Sequence, residues 1–285
     1  MKHQKTEMLP LWLEYPCMSQ CSIGWRMGAG EDYRYKLFDW YDALPEEERR
    51  AWDAKFPQPK FWLDLEKEED SDESRCFSNE NHFVVFWERD GKPRYSVDTL
   101  KERRKKGEPM SFLFFWGHHP AADGRITQSC LSQWWKSDFR IDTDEYCCME
   151  QYMMAEKARL FGDEENLEKI MASADPKTIK SLGRKVRNFD AAVWDRCKYS
   201  IVLNGNYQKF IQNPKLLNYL FSTGEQVLVE ASPLDTVWGI GMSRTTPGVE
   251  DPGNWNGQNL LGFALTEVRE ELRRVCKNAP ESFWR

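Results

Sequence analysis

The stretch that most constrains the fold runs from Asp142 to Gly162 and has the pattern of an amphipathic helix. Asp142 followed three residues later by Glu145 resembles a capping box, and Gly162 can take the left-handed conformation that ends many helices. Between these signals, apolar residues recur at helical spacing. They are Tyr146, Met153, Met154 and Phe161. The sequence therefore predicts one helix with one apolar face.

Two charged residues, Glu150 and Lys157, fall in the middle of that apolar face. Burying an unpaired charge is costly, so such groups are usually paired, neutralised or directed at a polar cavity. A separation of seven residues places their backbones about 10 Å apart along the axis, which is long for a direct contact. Two interpretations are open from the helix alone. Either the side chains snorkel at the edge of a core, or a carboxylate and an amine line one pocket with shifted pKa values.

Composition narrows the class of protein. The chain has 285 residues and a formal net charge of -6, which disfavours a broad nucleic-acid or anionic-membrane surface. Aromatic residues make up 14% of the chain, enough to build a core. No apolar run is long enough to span a membrane, and the N-terminus lacks a signal-peptide core. The eight cysteines lack a secreted-scaffold pattern, so we expect reduced thiols in a cytoplasmic protein.

The cysteine and histidine spacing does not predict a metal site. Cys17 and Cys21 form a CxxxC pair with His3 nearby, but no second pair follows at zinc-finger spacing. We therefore expect neither a metal ion nor a cofactor.

The pattern divides the chain into two parts. Residues 1–108 form an aromatic-rich N-terminal extension, in which alternating runs around Asp90-Gly91 predict a β-hairpin at 82–98. An acidic run from Glu66 to Glu73 predicts a solvated linker or loop. Residues 109–285 form the second part.

The second part is predicted to be mostly helical. Asp175-Pro176, Asp190 and Asn213-Pro214 are helix-start signals. Apolar runs beginning at Ser111 and Glu225 predict short strands, and a Gly-, Pro- and Asn-rich segment predicts a long loop before the last helix. The expected fold class is α+β, predominantly helical, with a few short strands.

Polar and aromatic residues in unusual places are candidates for chemistry. They are Glu150, Lys157, Trp194, Glu230, Asp235 and Trp238. Carboxylates, a lysine and tryptophans suit a flat ring held by stacking while acid–base chemistry breaks a C–N or C–O bond. The alternative from these residues alone is structural, with tryptophans in the core and carboxylates as helix caps. The lone Gly239-Ile-Gly241 is not a dinucleotide fingerprint.

Six linked motifs resemble one known family. They are CLSQWW from Cys130, EQYMMAEKARLF from Glu150, LGRKV from Leu182, QKFIQNPKLL from Gln208, LVEASPLDTVWGIG from Leu228 and GQNLLGFALTEVR from Gly257. Together, over about residues 110–275, they resemble the NADAR domain family of YbiA-like N-glycosidases. The resemblance implies a compact, mainly helical YbiA-like domain at 109–285 and does not extend to the N-terminal extension.

The resemblance also implies an activity, namely hydrolysis of the bond between ribose C1′ and an exocyclic amine. The main implied substrate is ADP-ribose on guanine in nucleic acid, in an antitoxin or repair role paired with an ADP-ribosyltransferase toxin. The guanine would be single-stranded or flipped. Ribosylamino-pyrimidine intermediates of riboflavin biosynthesis are the second implied substrate. The alternatives are a non-catalytic ADP-ribose- or nucleotide-binding module, and an antitoxin acting by direct contact through its N-terminal region.

The predicted site combines the family pattern with the residues singled out above. Glu150, Lys157 and Asp235 are the predicted catalytic residues. The predicted substrate-binding residues are Ser132, Trp134, Arg184, Trp194, Glu230, Trp238, Gly239, Gly241 and Asn259. Arg184 and the backbone N–H groups of the Gly239–Gly241 loop are candidates for the phosphates. Relatives usually carry Ser-Asn-Phe where this chain has Ser132-Gln133-Trp134, and the larger ring could alter which base is accepted.

Overall fold

The structure, a computed structural model, describes residues 7–63, 75–88 and 90–284 and is mainly helical. The α-helices are α1 (Leu11–Glu14), α2 (Ala29–Asp42), α3 (Glu46–Lys55), α4 (Val97–Lys105), α5 (Met149–Leu160), α6 (Glu164–Met171), α7 (Pro176–Gly183), α8 (Ala191–Ile211), α9 (Pro214–Ser222) and α10 (Leu260–Val275). The strands are β1 (Cys76–Ser78), β2 (Phe83–Val85), β3 (Phe112–Phe115), β4 (Phe139–Ile141), β5 (Asp144–Tyr146) and β6 (Val227–Glu230).

The described strands pair into three two-stranded sheets. The pairs β1–β2 and β4–β5 are antiparallel, whereas β3 and β6 are parallel although they lie far apart in sequence. In the parallel pair Phe115 lies opposite Glu230, so the two strands end together at the same edge. The predicted α+β, predominantly helical fold class is confirmed.

Helices α5, α8 and α10 form the centre of the core. Helix α10 packs against both α8 and β6, while α5 packs against α6, α7 and α8. Apolar residues at helical spacing on α10, such as Ala264, Val268 and Leu272, are completely buried. Gly205 lets α8 approach α5 closely, because its backbone packs directly against the Tyr152 ring. The central helix α5 is thereby held on several sides.

The N-terminal region packs onto the same core. Leu13, Trp52 and Phe86 belong to the hydrophobic cluster that contains the central helices. Polar contacts join the two regions as well. The backbone N–H of Lys60 donates to Glu271 Oε1 at 2.8 Å, and Trp87 Nε1 donates to Asn204 Oδ1 at 2.7 Å. Residues before 109 are therefore part of the packing around α8 and α10.

The predicted start of the central helix is wrong. Helix α5 begins at Met149, and Asp142 lies instead in the tight turn between β4 and β5 with φ of 53°. The Asp142 carboxylate accepts hydrogen bonds from the N–H and hydroxyl of Ser19, at 2.9 and 2.6 Å, rather than capping a helix. An Asp-x-x-Glu spacing fits a hairpin turn as well as a capping box, and the tertiary contact with Ser19 decides between them.

The predicted hairpin at 82–98 is also wrong. Strand β2 pairs with the preceding strand β1 instead of with a following strand. The run after Gly91, which was predicted to be the second strand of the hairpin, leads into helix α4. Ser96 and Thr99 form a reciprocal capping box, in which Thr99 N–H donates to Ser96 Oγ at 3.1 Å and Ser96 N–H donates to Thr99 Oγ1 at 3.0 Å. Gly91 does turn the chain, with φ of 67°, but it leads into a helix cap rather than a returning strand.

The other helix signals hold. Asp175 accepts a hydrogen bond from Thr178 N–H and caps α7, and Asp190 caps α8 through Ala192 and Val193. Gly162 follows α5 with φ of 65°. Strands β3 and β6 lie where apolar runs predicted them, and the loop between β6 and α10 holds only one short 3₁₀ turn, Pro252–Asn254.

Two predictions fall on parts of the chain that the structure does not describe. The acidic run from Glu66 to Glu73 and the His3 of the rejected zinc site both lie outside the described residues. None of the described helices is both long and apolar enough to cross a membrane.

The contact at Gly205 gives a stability prediction. An added Cβ would lie 2.3 Å from Tyr152 Cδ1 and 2.7 Å from Met149 Cε. We expect Gly205→Ala to lower the free energy of unfolding by about 1–3 kcal/mol, because overpacking outweighs the helix-propensity gain of about 1 kcal/mol. Urea denaturation measures the change.

The matched comparison is a double-mutant cycle with Tyr152→Leu, which removes the ring that the new methyl group meets. The double variant should lose less stability than the sum of the single variants. Strict additivity would show that Gly205 is not in tight contact with Tyr152.

Candidate functional site

The first wall of the site is the face of α5 that carries Glu150. Residues at i, i+3, i+4 and i+7 line one cavity: Glu150, Met153, Met154 and Lys157. The helix starts one residue before Glu150, and the Glu150 N–H donates to Gln133 O at 2.9 Å. The two charged residues of the apolar face therefore do converge on one cavity, as the pocket interpretation predicts.

Glu150 is nearly fully buried, with 3% of its surface exposed. Burial raises the pKa of Glu150 to about 7, and nearby Asp235 raises it further, while Lys180, the Trp134 side chain and Arg184 oppose the shift. Its Oε1 atom is buried and accepts no hydrogen bond from the described residues. A carboxyl group in this state holds its proton near neutral pH and has an oxygen free for a ligand.

Glu230 supplies a second carboxyl group at the end of β6; the residue is half-buried, and its Oε2 atom is fully buried. Burial raises the pKa of Glu230 to about 8, and Asp235 and Glu150 raise it while Lys180 lowers it. Its buried Oε2 has no hydrogen-bond partner among the described residues. The negative charge of Glu150 is among the causes that raise the pKa of Glu230, so the two carboxyl groups belong to the same electrostatic environment.

The backbone of Glu230 is fixed by Asn259. Asn259 is completely buried, precedes α10 with φ of 55°, and accepts the Glu230 N–H on Oδ1 at 2.9 Å. Its Nδ2 donates to Leu228 O at 3.0 Å. Asn259 therefore does not line the cavity itself; it ties the last strand to the last helix and sets where Glu230 points.

Asp235 closes the third wall in a tight turn. Its Oδ1 accepts hydrogen bonds from Val237 N–H at 2.9 Å and Trp238 N–H at 2.8 Å. The side chains of Asp235 and Trp238 both line the cavity, and each is half-buried. The carboxylate thus shapes the turn that presents the tryptophan.

The glycines after Trp238 build this turn and do not line the cavity. A Cβ on Gly239 would lie 2.8 Å from Glu230 O, so only glycine fits there. The N–H of Ile240 donates to Glu230 O at 2.9 Å, and the N–H of Gly241 donates to Asp235 O at 3.0 Å. The N–H groups of Ile240 and Gly241 are thus already used within the protein and are not free to bind phosphate as predicted.

Lys157 lies among aromatic rings. Its Nζ donates to Gly183 O at 2.9 Å and lies 4.2 Å from the Phe189 ring centroid and 5.4 Å from that of Trp194. Burial lowers the pKa of Lys157. Lys157 makes no ion pair with a carboxylate in the described part of the chain. Its amine is thus more available as a nucleophile than an ordinary surface lysine.

The fourth wall is the segment around Ser132 and Trp134, and a buried lysine holds it. Lys209 is completely buried, and its Nζ donates to Cys130 O at 2.6 Å and Ser132 O at 3.2 Å. Trp134 N–H donates to Ser132 Oγ at 3.1 Å. The segment is therefore fixed from behind by α8.

The walls enclose a cavity of about 480 Å³, within the range of small-molecule sites. The predicted residues that line it are Ser132, Trp134, Glu150, Lys157, Arg184, Trp194, Glu230, Asp235 and Trp238. The predicted residues that do not line it are Gly239, Gly241 and Asn259. Residues from five separate stretches of sequence meet here.

Lys180 is the main residue that the sequence did not single out. It lines the cavity, opposes the raised pKa values of both Glu150 and Glu230, and places its Nζ 5.8 Å from the Trp134 ring centroid. One signal was available, since Lys180 lies at i−3 and i−4 from Gly183 and Arg184 on α7, and so shares a face with a predicted site residue. The other lining residue of note is Lys198, on α8.

Among the described residues, no group of three or more His, Cys, Asp or Glu side chains is placed to hold a metal ion.

The raised pKa values predict a pH dependence of stability. Between the unfolded pKa near 4.5 and the folded values of about 7 and 8, the folded protein holds protons that the unfolded chain has released. Stability therefore falls as the pH rises through this window. We expect Glu150→Gln to increase the free energy of unfolding at pH 8.5 by roughly 1–3 kcal/mol and Glu230→Gln to do the same.

The gain should be nearly lost at pH 4.5, where both carboxyl groups are protonated in the folded protein and about half protonated in the unfolded chain. Denaturant unfolding at several pH values measures it. Glu168→Gln, an exposed glutamate on α6, is the matched control and should leave the slope unchanged. Equal stabilisation at pH 4.5 and 8.5 would show that the titration of these two groups does not cause the effect.

Known proteins resemble the second part of the chain. The model of the NADAR domain family matches residues 114–273. An N-glycosidase of Acanthamoeba polyphaga mimivirus is 44% identical over 170 residues, covering 58% of this chain and 98% of that protein. An N-glycosidase of Nostoc punctiforme is 30% identical over 146 residues, covering 51% of this chain and 86% of that protein.

One solved structure also matches. The NMR structure of the Escherichia coli protein YbiA is 25% identical, has a TM-score of 0.46, and covers 57% of this chain and 84% of that chain. The family match alone spans more than half of the 285 residues and includes every wall of the cavity. The family resemblance of the motifs is confirmed, and the chain belongs to the NADAR domain family.

Proposed function

We propose that the protein is an N-glycosidase that removes ADP-ribose from the exocyclic amine of guanine in nucleic acid. The observation that carries this proposal is the cavity lined by Lys157 and by two carboxyl groups with raised pKa values, the buried Glu150 and the half-buried Glu230. Relatives of this chain are named N-glycosidases, which supports the same bond type.

Glu150 has the state that a general acid needs. The exocyclic amine of a base leaves ribose C1′ poorly unless it receives a proton. With a pKa of about 7, Glu150 holds a proton near neutral pH and can still release it. The proposed proton donor is its Oε1 atom, which has no hydrogen-bond partner among the described residues.

Lys157 is proposed as the nucleophile. A glycosylamine opens its ribose ring to an imine at C1′, and the neutral Lys157 amine adds to that carbon. The C1′–N bond to the base then breaks, the base amine leaves with a proton from Glu150, and a lysine Schiff base remains. Water hydrolyses the Schiff base and releases the sugar. Desolvation lowers the pKa of Lys157 and so favours the neutral amine that the first step requires.

The remaining residues divide between water activation and binding. Asp235, half-buried at the edge of the cavity, is the proposed base for the hydrolytic water. Arg184 is exposed, makes no ion pair within the described part of the chain, and offers positive charge to the phosphates. Lys198 also lines the cavity but is paired with Asp195. Trp194 and Trp238 offer faces for a ring or the ribose. The acidic net charge suits a small footprint on a single-stranded or flipped guanine.

Product release from an ADP-ribosylated guanine oligonucleotide tests the proposal. Wild type should release free ADP-ribose, whereas Glu150→Gln and Lys157→Gln should each lower kcat by about 10²–10⁴ because each removes a proton-transfer or nucleophilic group. Lys215→Ala on the exposed side of α9 is the matched charge-removing control and should retain wild-type activity.

The alternatives have distinct signatures in the same assay. No release by wild type, but hydrolysis of a ribosylamino-pyrimidine, would replace the guanine substrate with the metabolite. Tight binding of ADP-ribose without hydrolysis of either substrate would replace the enzyme with a binding module.

The covalent route has its own test. Borohydride added during turnover should reduce the Schiff base and leave a stable sugar adduct on the Lys157 peptide, which mass spectrometry detects. Asp195→Asn, which alters a neighbouring residue of the cavity, should still form the adduct. Turnover without any adduct would restrict Lys157 to stabilising charge in a direct hydrolysis through an oxocarbenium-like state.

A further inference from the structure

A second cleft lies beside the cavity and shares Trp134 with it. The cleft has a volume of about 620 Å³, and His118, Lys136 and Pro176 are among its lining residues. Trp134 lines both spaces, so its indole lies at the boundary between the cavity and the cleft. The predicted site did not include this cleft.

Trp134 has a partner in each space. In the main cavity, Lys180 Nζ lies 5.8 Å from its ring centroid. In the cleft, the His118 ring lies 5.3 Å away at an interplanar angle of 58°. His118 in turn stands 4.4 Å from His119, with the rings inclined by 35°. The cleft therefore has three aromatic rings on one side.

Two chain elements run along both spaces. Helix α7 contributes Pro176 to the cleft and Gly183 to the cavity, and the segment after Ser132 contributes to both. Pro176 and Arg184 are separated by about 12 Å along the helix axis at 1.5 Å per residue. This span is longer than one ring, so a molecule that fills both spaces must carry at least two units.

The chemistry of the cleft fits a nucleotide. Aromatic side chains give stacking surfaces that accept any base, and a neighbouring lysine adds attraction for a phosphate. Lys136 is exposed and makes no ion pair with the described residues. The one carboxylate of the cleft, Asp175, caps α7 and accepts hydrogen bonds at Oδ2 from Thr178 N–H at 2.9 Å and Thr178 Oγ1 at 2.6 Å. Lys136 is therefore the side chain of the cleft that offers an unpaired positive charge to a phosphate.

We infer that the cleft beyond Trp134 is a second subsite, which binds an aromatic ring and phosphate of the same substrate whose C1′–N bond breaks in the main cavity. The inference rests on the proposed function, since it extends that substrate. Two parts of such a substrate have this chemistry: the adenosine of the ADP-ribosyl group and the nucleotide that flanks the modified base.

Four substrates separate these two sources. They are guanosine and a trinucleotide with a central guanosine, each modified either with ADP-ribose or with ribose 5-phosphate alone. If the cleft holds adenosine, the ADP-ribosyl group should raise kcat/KM about tenfold over ribose 5-phosphate. If it holds the flanking nucleotide, the trinucleotide should raise kcat/KM by a similar factor over guanosine.

The variants His118→Ala and Lys136→Ala should each lose most of that gain, while Lys215→Ala keeps it. The lower kcat/KM of these two variants should come mainly from a higher KM, because the cleft lies away from the bond that breaks. Circular dichroism and the melting temperature establish that each variant is folded. Equal kcat/KM for all four substrates, or a gain that both cleft variants retain, would overturn the inference while leaving the glycosidase activity intact.

A second readout does not depend on turnover. Calorimetric binding of ADP-ribose and of an unmodified trinucleotide should weaken about tenfold for at least one probe in both cleft variants. If wild type hydrolyses nothing, the proposed function fails, and this binding experiment still decides the cleft. Binding that is absent, or unchanged in the variants, would then overturn the subsite as well.

Discussion

Desolvation of two carboxyl groups is the constraint around which this structure is arranged. Glu150 and Glu230 each leave a buried oxygen without a hydrogen-bond partner among the described residues. An unsatisfied buried polar group costs about 1–3 kcal/mol, and an ionised one costs much more. Desolvation therefore shifts both groups toward the protonated form, with pKa values raised to about 7 and about 8, and the surrounding core must offset the remaining cost. The folded protein is therefore less stable than it would be with both oxygens hydrogen-bonded, and a ligand in the cavity can supply the missing hydrogen bonds.

Two residues that do not line the cavity, Asn259 and Lys209, hold the backbone of its walls in place. Asn259 bridges Leu228 and Glu230 with its amide, and Lys209 bridges Cys130 and Ser132 with its amine. Both are completely buried, so each makes its hydrogen bonds in a low-dielectric environment where losing one is expensive. This explains why Asn259, Gly239 and Gly241 occur in the family motifs although they do not line the cavity: they determine backbone position, and the cavity side chains follow from it.

The sequence carries much of the site but only part of the fold. The spacing of Glu150 and Lys157 on one helix is a local property that places them on one face, but it leaves a shared cavity and two snorkelling side chains both open. Glu230 and Asp235 are candidates from their residue types alone, whereas Trp134 enters only through the family motifs. That these residues meet depends on the parallel pairing of β3 with β6, which is non-local. The local pattern at Asp142 fits either a helix cap or a hairpin turn, and the contact with Ser19 selects the turn. The turn at Gly91 fits either a hairpin or the approach to a helix, and the capping box of Ser96 and Thr99 selects the helix. The sequence does not single out Lys180, because the position of a lysine on the polar face of a helix does not tell whether that face lies against water or a cavity.

The two sides of α5 link the site to the N-terminal region. One side carries Glu150 and Lys157, while the other carries Glu156, which lies 2.7 Å from His82 Nε2 of the N-terminal region. Arg159 binds Glu156 Oε1 at 2.6 Å and Asp144 at 2.8 Å, so the charges on this side form a network rather than a single pair. A partly buried charge network fixes geometry more strictly than apolar contact does, because a small displacement leaves charges unpaired. The position of α5, and with it that of Glu150, therefore depends in part on a contact from outside the family domain, that of His82 with Glu156.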